Sequence, residues 1–456
     1  MALRTPWFQE RSTLFGLSVL DALWVGGFYN LVFALRMLRL PGLDWMELLL
    51  IGGWTGLSYL GGRYSNRLGR RDDLLLELGR SLLVSVLLLA LAVVVFSWGL
   101  KSRDPRTFRG FLVPLLAAVC ISSTLTQQLV RRGMQRRRDP WIVVSSPADL
   151  AVIAREQQPE LRRTPTRLVP TEAVHALSQE LQQPGGTAWA GLAVGDLHGV
   201  QPQLLEDLAN SRAAGLRVSS LISWCETYLQ RVPPELISPE WRLQAEGFEL
   251  HPGSLSWRLK RVGDLGLASL LLLLSAPLVL VSALLIWLED RGPIFYTQER
   301  SGIYDGTIRI IKLRTMRVNA ETRAAQWAQR NDPRITRTGQ WLRRLRLDEL
   351  PQLLNVLRGD MSLIGPRPER PEIDAELERQ IPNYRLRYLA RPGLSGWAQV
   401  CFPYGASVED SRMKLSYDIY YIRNANLLLD LFILIKTIRL VLRGAGSEPT
   451  GTPCRH

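Results

Sequence analysis

Long apolar runs constrain this chain more than any other feature. Residues 12–35, 43–62, 78–100 and 108–130 are each predominantly apolar over about 20 positions, the length of helix that crosses ~30 Å of hydrocarbon. A fifth run, Leu265–Leu288, carries no charged side chain. Backbone groups in hydrocarbon must be satisfied within their own segment, so helices are the conformation open to such runs. The first four predict four transmembrane spans over residues 1–138. Arg4 and Arg11 come before the first run and no small-residue cleavage pattern accompanies it, so it is expected to be a retained span and not a signal peptide. Basic residues at the N-terminus, at 63–71 (Arg63, Arg67, Arg70, Arg71) and after the fourth run (Arg131, Arg132, Arg136, Arg137, Arg138) outnumber those of the alternate loops (Arg36, Arg39, Lys101, Arg103, Arg106). By the positive-inside rule both ends of the block face the cytoplasm. Asp21 is the main charge inside a span and, near a helix end, reads as structural or interfacial; nothing here resembles a transport pathway.

The 456 residues carry a net charge of +14, with arginines gathered beside the apolar runs. That placement fits topology and contact with membrane lipids, and no nucleic-acid fold signature accompanies it, so nucleic acid is not an expected partner. Cys120, Cys225, Cys401 and Cys454 lack CxxC spacing, and the four histidines are dispersed. Neither a disulfide framework nor a zinc site is expected; any metal would be held by oxygen ligands, which points to Mg²⁺.

From Trp141 to Leu250 the pattern changes. WIVVSS (141–146), TRLVP (166–170), GLAVGD (191–196) and LRVSSL (216–221) read as strands separated by amphipathic stretches, which predicts a small parallel α/β domain. Its first turn, Ser145-Ser146-Pro147, lacks GxGxxG, so a structural or regulatory role is expected over dinucleotide binding. Pro233, Pro234 and Pro239 mark a connecting stretch to the next domain.

Length alone makes Leu265–Leu288 a fifth span. However, Pro277, preceded by Ser275 and Ala276, stands in mid-run, where proline removes a helix hydrogen bond and bends the axis. With residues 139–250 in the cytoplasm, a full crossing would put everything after 290 outside. Pattern and charge leave open a plain span or a re-entrant helix over 262–288 that kinks at Pro277 and returns to its own side.

Downstream, Leu347–Pro368 reads LDELPQLLNVLRGDMSLIGPRP and places Asp348 and Glu349 at a helix start, with Pro351 in the first turn and Leu353, Leu354, Val356 and Leu357 on the buried side. The dipole end there favours an anion, either the carboxylates themselves or a phosphate. In IRIIKLRTM (308–316), an extended strand puts Lys312 and Arg314 on one face, suited to a diphosphate. Arg343, Arg344 and Arg346 lead into the acidic pair, and Arg367 is held rigidly between two prolines, suited to bidentate phosphate contact. For Arg344 and Arg346 a basic surface resting on lipid is at least as good a reading.

KRVGDLGLA, the run bent at Pro277, GPIFYTQER, IKLRTM, LDELPQLLNVLRGDMSLIGPRP, RPGLSGWAQV and DIYYIRNANLLLDLFILIKTI together resemble the bacterial sugar transferases, the monotopic polyprenyl-phosphate phosphoglycosyltransferases, in consecutive blocks over 257–443. The first 250 residues resemble the longer members, which initiate exopolysaccharide, capsule or O-antigen synthesis, more loosely. The resemblance implies a ping-pong reaction: Asp348 attacks the sugar-linked phosphorus of a UDP-sugar, UMP leaves, and undecaprenyl phosphate takes the phospho-sugar from the aspartyl intermediate. It also implies Mg²⁺ with Glu349 as ligand, phosphate contacts for Arg343 and Arg367 and, less specifically, for Lys312 and Arg314. It favours the re-entrant helix, with the catalytic domain on the cytoplasmic side of the bacterial inner membrane. One departure concerns the kink, where Ala276 and not a serine precedes Pro277, and Ser275 lies one place earlier.

RPGLSGWAQV (391–400) reads equally as a loop closing the site, with Arg391 near phosphate or nucleotide, and as a packed turn anchored by its indole. Lys436, Arg439 and Arg443 stripe an apolar helix expected to lie on the cytoplasmic leaflet. The expected fold class is a membrane protein of α + α/β type: a four-helix N-terminal membrane block (1–138), a small Rossmann-like α/β domain (139–250), a mostly helical catalytic domain (256–444) anchored by the re-entrant helix, and a disordered tail (445–456). A non-enzyme alternative is an inert membrane scaffold or regulator of polysaccharide assembly. Glucose or galactose phosphate is the expected cargo, and whether the chain forms a homodimer is left open.

Overall fold

The computed structural model describes residues 6–38, 45–64, 74–92, 109–136, 139–157, 165–173, 177, 189–195, 202–213, 215–244, 252–318, 334–402 and 407–442. The expected disordered tail, and Arg4, Arg39, Arg67, Arg70, Arg71, Lys101, Arg103, Arg106, Arg137, Arg138, Arg443 and Cys454, lie outside them. The chain divides into two compact units, 8–138 and 139–455.

The first unit holds helices α1 (Pro6–Met37), α2 (Trp45–Gly61), α3 (Leu74–Ala92) and α4 (Arg109–Arg136). Tyr29, Trp54, Val84 and Leu115 pack at its centre, while Leu31, Leu35, Leu48, Leu83 and Val86 are exposed. Apolar side chains on the outside suit lipid as the surrounding solvent. Among the described residues three helices are long and apolar enough to cross a membrane, α1 and α4 here and the helix Leu255–Asp290 of the second unit; α2 has 17 residues. The interior corrects one expectation. Arg63, a loop cation by sequence, is fully buried, donates to Ser58 and to Ser123 Oγ at 2.7 Å, and lies 3.8 Å from Asp21 and 3.7 Å from Glu77. Asp21 also accepts from Tyr64 at 2.6 Å. A buried charge needs such partners, so of its two readings Asp21 takes the structural one, and Arg63 belongs with it.

The second unit begins with strands β1 (Trp141–Ser145), β2 (Thr166–Pro170), β3 (Gly191–Val194) and β4 (Val218–Ser220), all parallel, in the order β2-β1-β3-β4. Alternate residues of β1 face two separate apolar layers, Trp141 and Val143 on one side and Ile142 and Val144 on the other, as a parallel sheet covered on both faces requires. Ser145 donates to Asp149 and Ser146 caps its N–H, which closes the first turn onto helix α5 (Pro147–Gln157). The connecting proline stretch is packed. Gln230–Pro234 is buried; Val232 N donates to Ser416 O, and Asn383 donates to the carbonyls of Pro234 and Ile237. Fully buried Glu156 at the end of α5 binds Arg231 at 2.8 Å and Arg412 at 2.5 Å, so the α/β segment and the C-terminal helices share an interior.

The long helix Leu255–Asp290 follows, 36 residues started by Ser254 and continuous through Pro277. Ser275 Oγ reaches the Leu272 carbonyl at 3.4 Å and Ser282 Oγ the Leu278 carbonyl at 2.7 Å; hydroxyls of this kind bond carbonyls in the turns around a proline. Leu273, Leu274, Leu280 and Leu284 are exposed. Near one end, Arg261 donates to the carbonyls of Val356 and Leu357 and Asp264 accepts from Ser362. Near the other, Ile286 packs with Leu313, Leu342 and Leu347.

Two small ladders complete the unit. β5 (Phe295–Ser301) pairs antiparallel with β6 (Thr307–Leu313), and β7 (Ser362–Ile364) pairs parallel with β8 (Gly393–Ser395). In RPGLSGWAQV the indole is packed, as one of its two readings has it: Trp397 is fully buried and its Nε1 donates to Gln230 O at 2.9 Å. Lys436, of the basic stripe on the helix Leu427–Leu442, lies 4.9 Å over the Trp397 ring.

Candidate active site

The acidic pair is built by a change of helix type. Thr336 caps the helix Arg337–Arg344 through the Gly339 N–H. At Gly339 a Cβ would stand 2.2 Å from the Thr315 carbonyl, so only glycine lets this helix lie so close to the end of β6. Arg343 Nε consequently reaches Thr315 Oγ1 at 2.9 Å. Arg346 then turns left-handed (φ 53°), and Leu347–Gln352 forms a 3-10 helix before the α-helix Leu353–Arg358. The tighter turn carries Asp348 and Glu349, both buried. Pro351 thus sits late in a 3-10 segment and not in the first α-turn; Leu353 and Val356 are buried as expected, whereas Leu354 is exposed. A 3-10 start also weakens the helix-dipole argument, leaving side-chain cations to supply the field.

Those cations converge on Glu349. Arg367 Nη2 lies 2.5 Å from Oε1, Lys312 Nζ 4.0 Å from the same oxygen, and Arg346 Nη1 3.6 Å from Oε2. β6 is pinned for this by Asn355, whose side chain accepts from Ile311 N and donates to the Arg309 carbonyl. The Arg367 side chain is still 38% exposed, which leaves it accessible to a ligand.

The two carboxylates are pushed apart electrostatically. Burial alone would raise Glu349, but Arg367, Lys312 and Arg346 hold it well below the usual carboxylate range. Burial, and then the negative charge of Glu349, push Asp348 up against the pull of Lys312, Arg343 and Arg367. Burial brings the Lys312 ammonium down to about 8 despite Glu349 beside it. Neighbouring carboxylates driven to opposite sides in this way suit different roles. Asp348 accepts no hydrogen bond among the described residues, so its oxygens are available for chemistry.

Of the residues singled out from sequence, Asp348, Glu349, Lys312, Arg343 and Arg367 come together. Arg314 does not: β6 ends at Leu313, and the Arg314 guanidinium turns to Asp290 at the end of the long helix. Arg391 does not either. It lies 4.5 Å over the Trp257 ring, in a cleft with Lys260, Arg261, Asp264, Ser362 and Tyr421. Arg346, for which a lipid contact is at least as good a reading from sequence, lies with the acidic pair; its i,i+3 spacing to Glu349 is the available signal. Asn355 also was missed, a polar residue on the apolar side of its helix.

Residues 255–444 match the family model described as bacterial sugar transferase. Over 199 residues the chain is 47% identical to a UDP-N-acetylgalactosamine-undecaprenyl-phosphate N-acetylgalactosaminephosphotransferase of Aeromonas hydrophila, covering 44% of this chain and 47% of that protein. Over 185 residues it is 47% identical to a UDP-glucose:undecaprenyl-phosphate glucose-1-phosphate transferase of Caulobacter vibrioides, covering 40% and 69%. Over 195 residues it is 38% identical to the exopolysaccharide production protein PSS of Rhizobium leguminosarum bv. phaseoli, covering 41% and 98%. The match thus spans about half the length of the Aeromonas protein.

Proposed function

Because this chain belongs to the bacterial sugar transferase family, we propose that it transfers a hexose-1-phosphate from a UDP-sugar to undecaprenyl phosphate with release of UMP, and so initiates exopolysaccharide, capsule or O-antigen synthesis. The observation that carries this reading is the convergence of Lys312, Arg343, Arg346 and Arg367 on an adjacent, buried Asp348–Glu349 pair. Two relatives of equal identity are named for different sugars, N-acetylgalactosamine and glucose, so the hexose is assigned only as a class.

Asp348 Oδ attacks the sugar-linked phosphorus while the bond to the bridging oxygen breaks, and that oxygen leaves on UMP. Raised basicity and unencumbered oxygens make this carboxylate the better nucleophile of the two. Arg367, Arg346 and Lys312 surround the negative charge that gathers on the diphosphate, and the Arg343 charge acts on Asp348, so charge stabilisation is preorganised. In the second half, an undecaprenyl phosphate oxygen attacks the same phosphorus, the Oδ–P bond breaks, and the Asp348 carboxylate is regenerated.

The residues fit Mg²⁺ in one manner. No cluster of three acidic, histidine or cysteine side chains occurs among the described residues, so the ion would be held by Glu349, with Asp348 beside it, and by substrate phosphate oxygens, the usual arrangement for this ion. When bound it neutralises diphosphate charge.

We read the N-terminal unit as four spans, residues 139–250 as the Rossmann-like domain and 256–444 as the catalytic domain on the cytoplasmic face of the inner membrane. The long helix is read as re-entrant, bent at Pro277. A straight helix would separate Arg261 from Ile286 by about 37 Å, yet Arg261 bonds the carbonyls of Val356 and Leu357 and the cluster that holds Ile286 takes in Leu347, and residues 347–357 cover about 20 Å at most at helical rise. A bend shortens that span, and it keeps the site where UDP-sugars are. A panel of UDP-sugars assayed for UMP release by the purified chain tests the reading; UMP from none of them would refute it.

A further inference from the structure

Prolines at 366 and 368 remove two N–H groups from the turn that carries Arg367, and its backbone is held largely by carbonyls. Gly393 N donates to Pro366 O at 2.8 Å, Arg387 Nη2 to Arg367 O at 2.7 Å, Arg300 Nη1 to Pro368 O at 3.2 Å and Ser301 N to Glu369 O at 2.9 Å. Among these donors Arg387 is the one that grips residue 367 itself.

Arg387 is fixed from behind. Its Nη1 donates to Tyr384 OH at 2.5 Å and to Asp374 Oδ1 at 3.4 Å, the Tyr384 hydroxyl donates onward to Asp374 at 2.6 Å, and Asp418 Oδ2 lies 3.5 Å from Nη2. All four side chains are buried. A guanidinium taken out of water in this way needs carboxylates around it, and two enclose it here, on the helix Pro371–Gln380 and the helix Val408–Asn424. None of them touches Asp348 or Glu349.

We propose that Arg387 is a positioning residue: it clamps the main chain of the Pro366–Pro368 turn so that the Arg367 guanidinium stays on Glu349 and toward the diphosphate. The inference rests on the reading of Arg367 as a phosphate contact. A planar guanidinium serves both sides of the clamp, carboxylate behind and carbonyl in front. A lysine in its place keeps the buried charge but offers one ammonium for both.

The test is a double-mutant cycle on the purified full chain, with UMP release from a UDP-sugar as readout and the thermal midpoint as a fold check. Arg387→Lys is expected to lower kcat by about tenfold or more, and combining it with Arg367→Lys is expected to lower kcat no further than about twofold below the worse single variant, because both changes remove one unit of function. Tyr384→Phe, which removes one brace and keeps the ring, is expected to lose about threefold and to show the same non-additivity with Arg367→Lys; it carries the test if the position-387 variant loses its fold. Losses that multiply, or folded variants within twofold of the unaltered chain, overturn the positioning role while the proposed function stands. An unaltered chain that releases no UMP overturns the proposed function, and this inference with it.

Discussion

Arg367 Nη2 and Glu349 Oε1 lie 2.5 Å apart, a charge-assisted contact reaching from the turn that follows β7 to the 3-10 helix that carries the acidic pair. It joins two segments separated by 18 residues of sequence and makes Glu349 the fixed negative centre of the site. Asp348, next in the chain, is left as the carboxylate without a hydrogen-bond partner among the described residues. A division of labour follows, with Glu349 anchoring charge and Asp348 reacting.

Glu349→Gln keeps the shape of the side chain and removes its charge, leaving Arg367, Lys312 and Arg346 facing one another. The account expects UMP release to fall by about 10²–10³-fold, with the dependence on added Mg²⁺ weakened. Kinetics across a Mg²⁺ titration check this, and an unchanged Mg²⁺ requirement would count against Glu349 as the ligand.

The pH dependence follows from the two perturbed groups. Asp348, pushed up by burial and Glu349, must lose its proton to attack, so kcat/KM rises with pH through a value above the usual carboxylate range. Lys312, brought down to about 8 by burial, loses its charge as pH climbs through that value, and kcat/KM falls. A bell-shaped profile is expected. Lys312→Arg, which stays charged, should move the alkaline limb upward; a limb still near 8 in that variant would assign it to another group.

Gly365 and Gly393 sit where β7 and β8 nearly touch. A Cβ on Gly393 would lie 2.1 Å from Gly365 N, and one on Gly365 would lie 2.2 Å from the Arg391 carbonyl. Gly393→Ala must therefore spread the ladder that sets the Arg367 turn. Expected are a lower thermal midpoint and a loss of about tenfold or more in kcat, since small displacements of phosphate-binding groups are costly.

Removing the charge of Glu156 leaves Arg231 and Arg412 buried with their shared carboxylate gone. Glu156→Gln is expected to destabilise the second unit by about 3–5 kcal/mol, seen as a lower denaturation midpoint in detergent. A midpoint unchanged within error would show that the shared interior contributes little to holding the two segments together.

The re-entrant reading predicts that Cys454 is cytoplasmic. A membrane-impermeant thiol reagent applied to intact cells should leave it unlabelled until the cells are opened, whereas labelling in intact cells would require a full crossing by the long helix.

Periodicity and run length exposed the helices, the parallel strands and the acidic pair, because these depend on local pattern. What sequence could not place was decided by tertiary contact. Arg314 and Lys312 share a strand parity, yet β6 ends between them and Asp290 captures the first. Arg391 found an indole, and Arg63 left the loop for a buried carboxylate. Arg346 required a left-handed turn that its own identity does not announce. Arg387 carried no motif signal at all, since its role comes from a carbonyl twenty residues away.

The most direct measurement is on Asp348→Asn, incubated with the accepted UDP-sugar and examined by intact mass and UMP release. The unaltered chain should gain the mass of one phospho-sugar and release UMP, and the variant should do neither while keeping its fold. A folded variant that still forms the adduct or turns over would contradict Asp348 as the nucleophile.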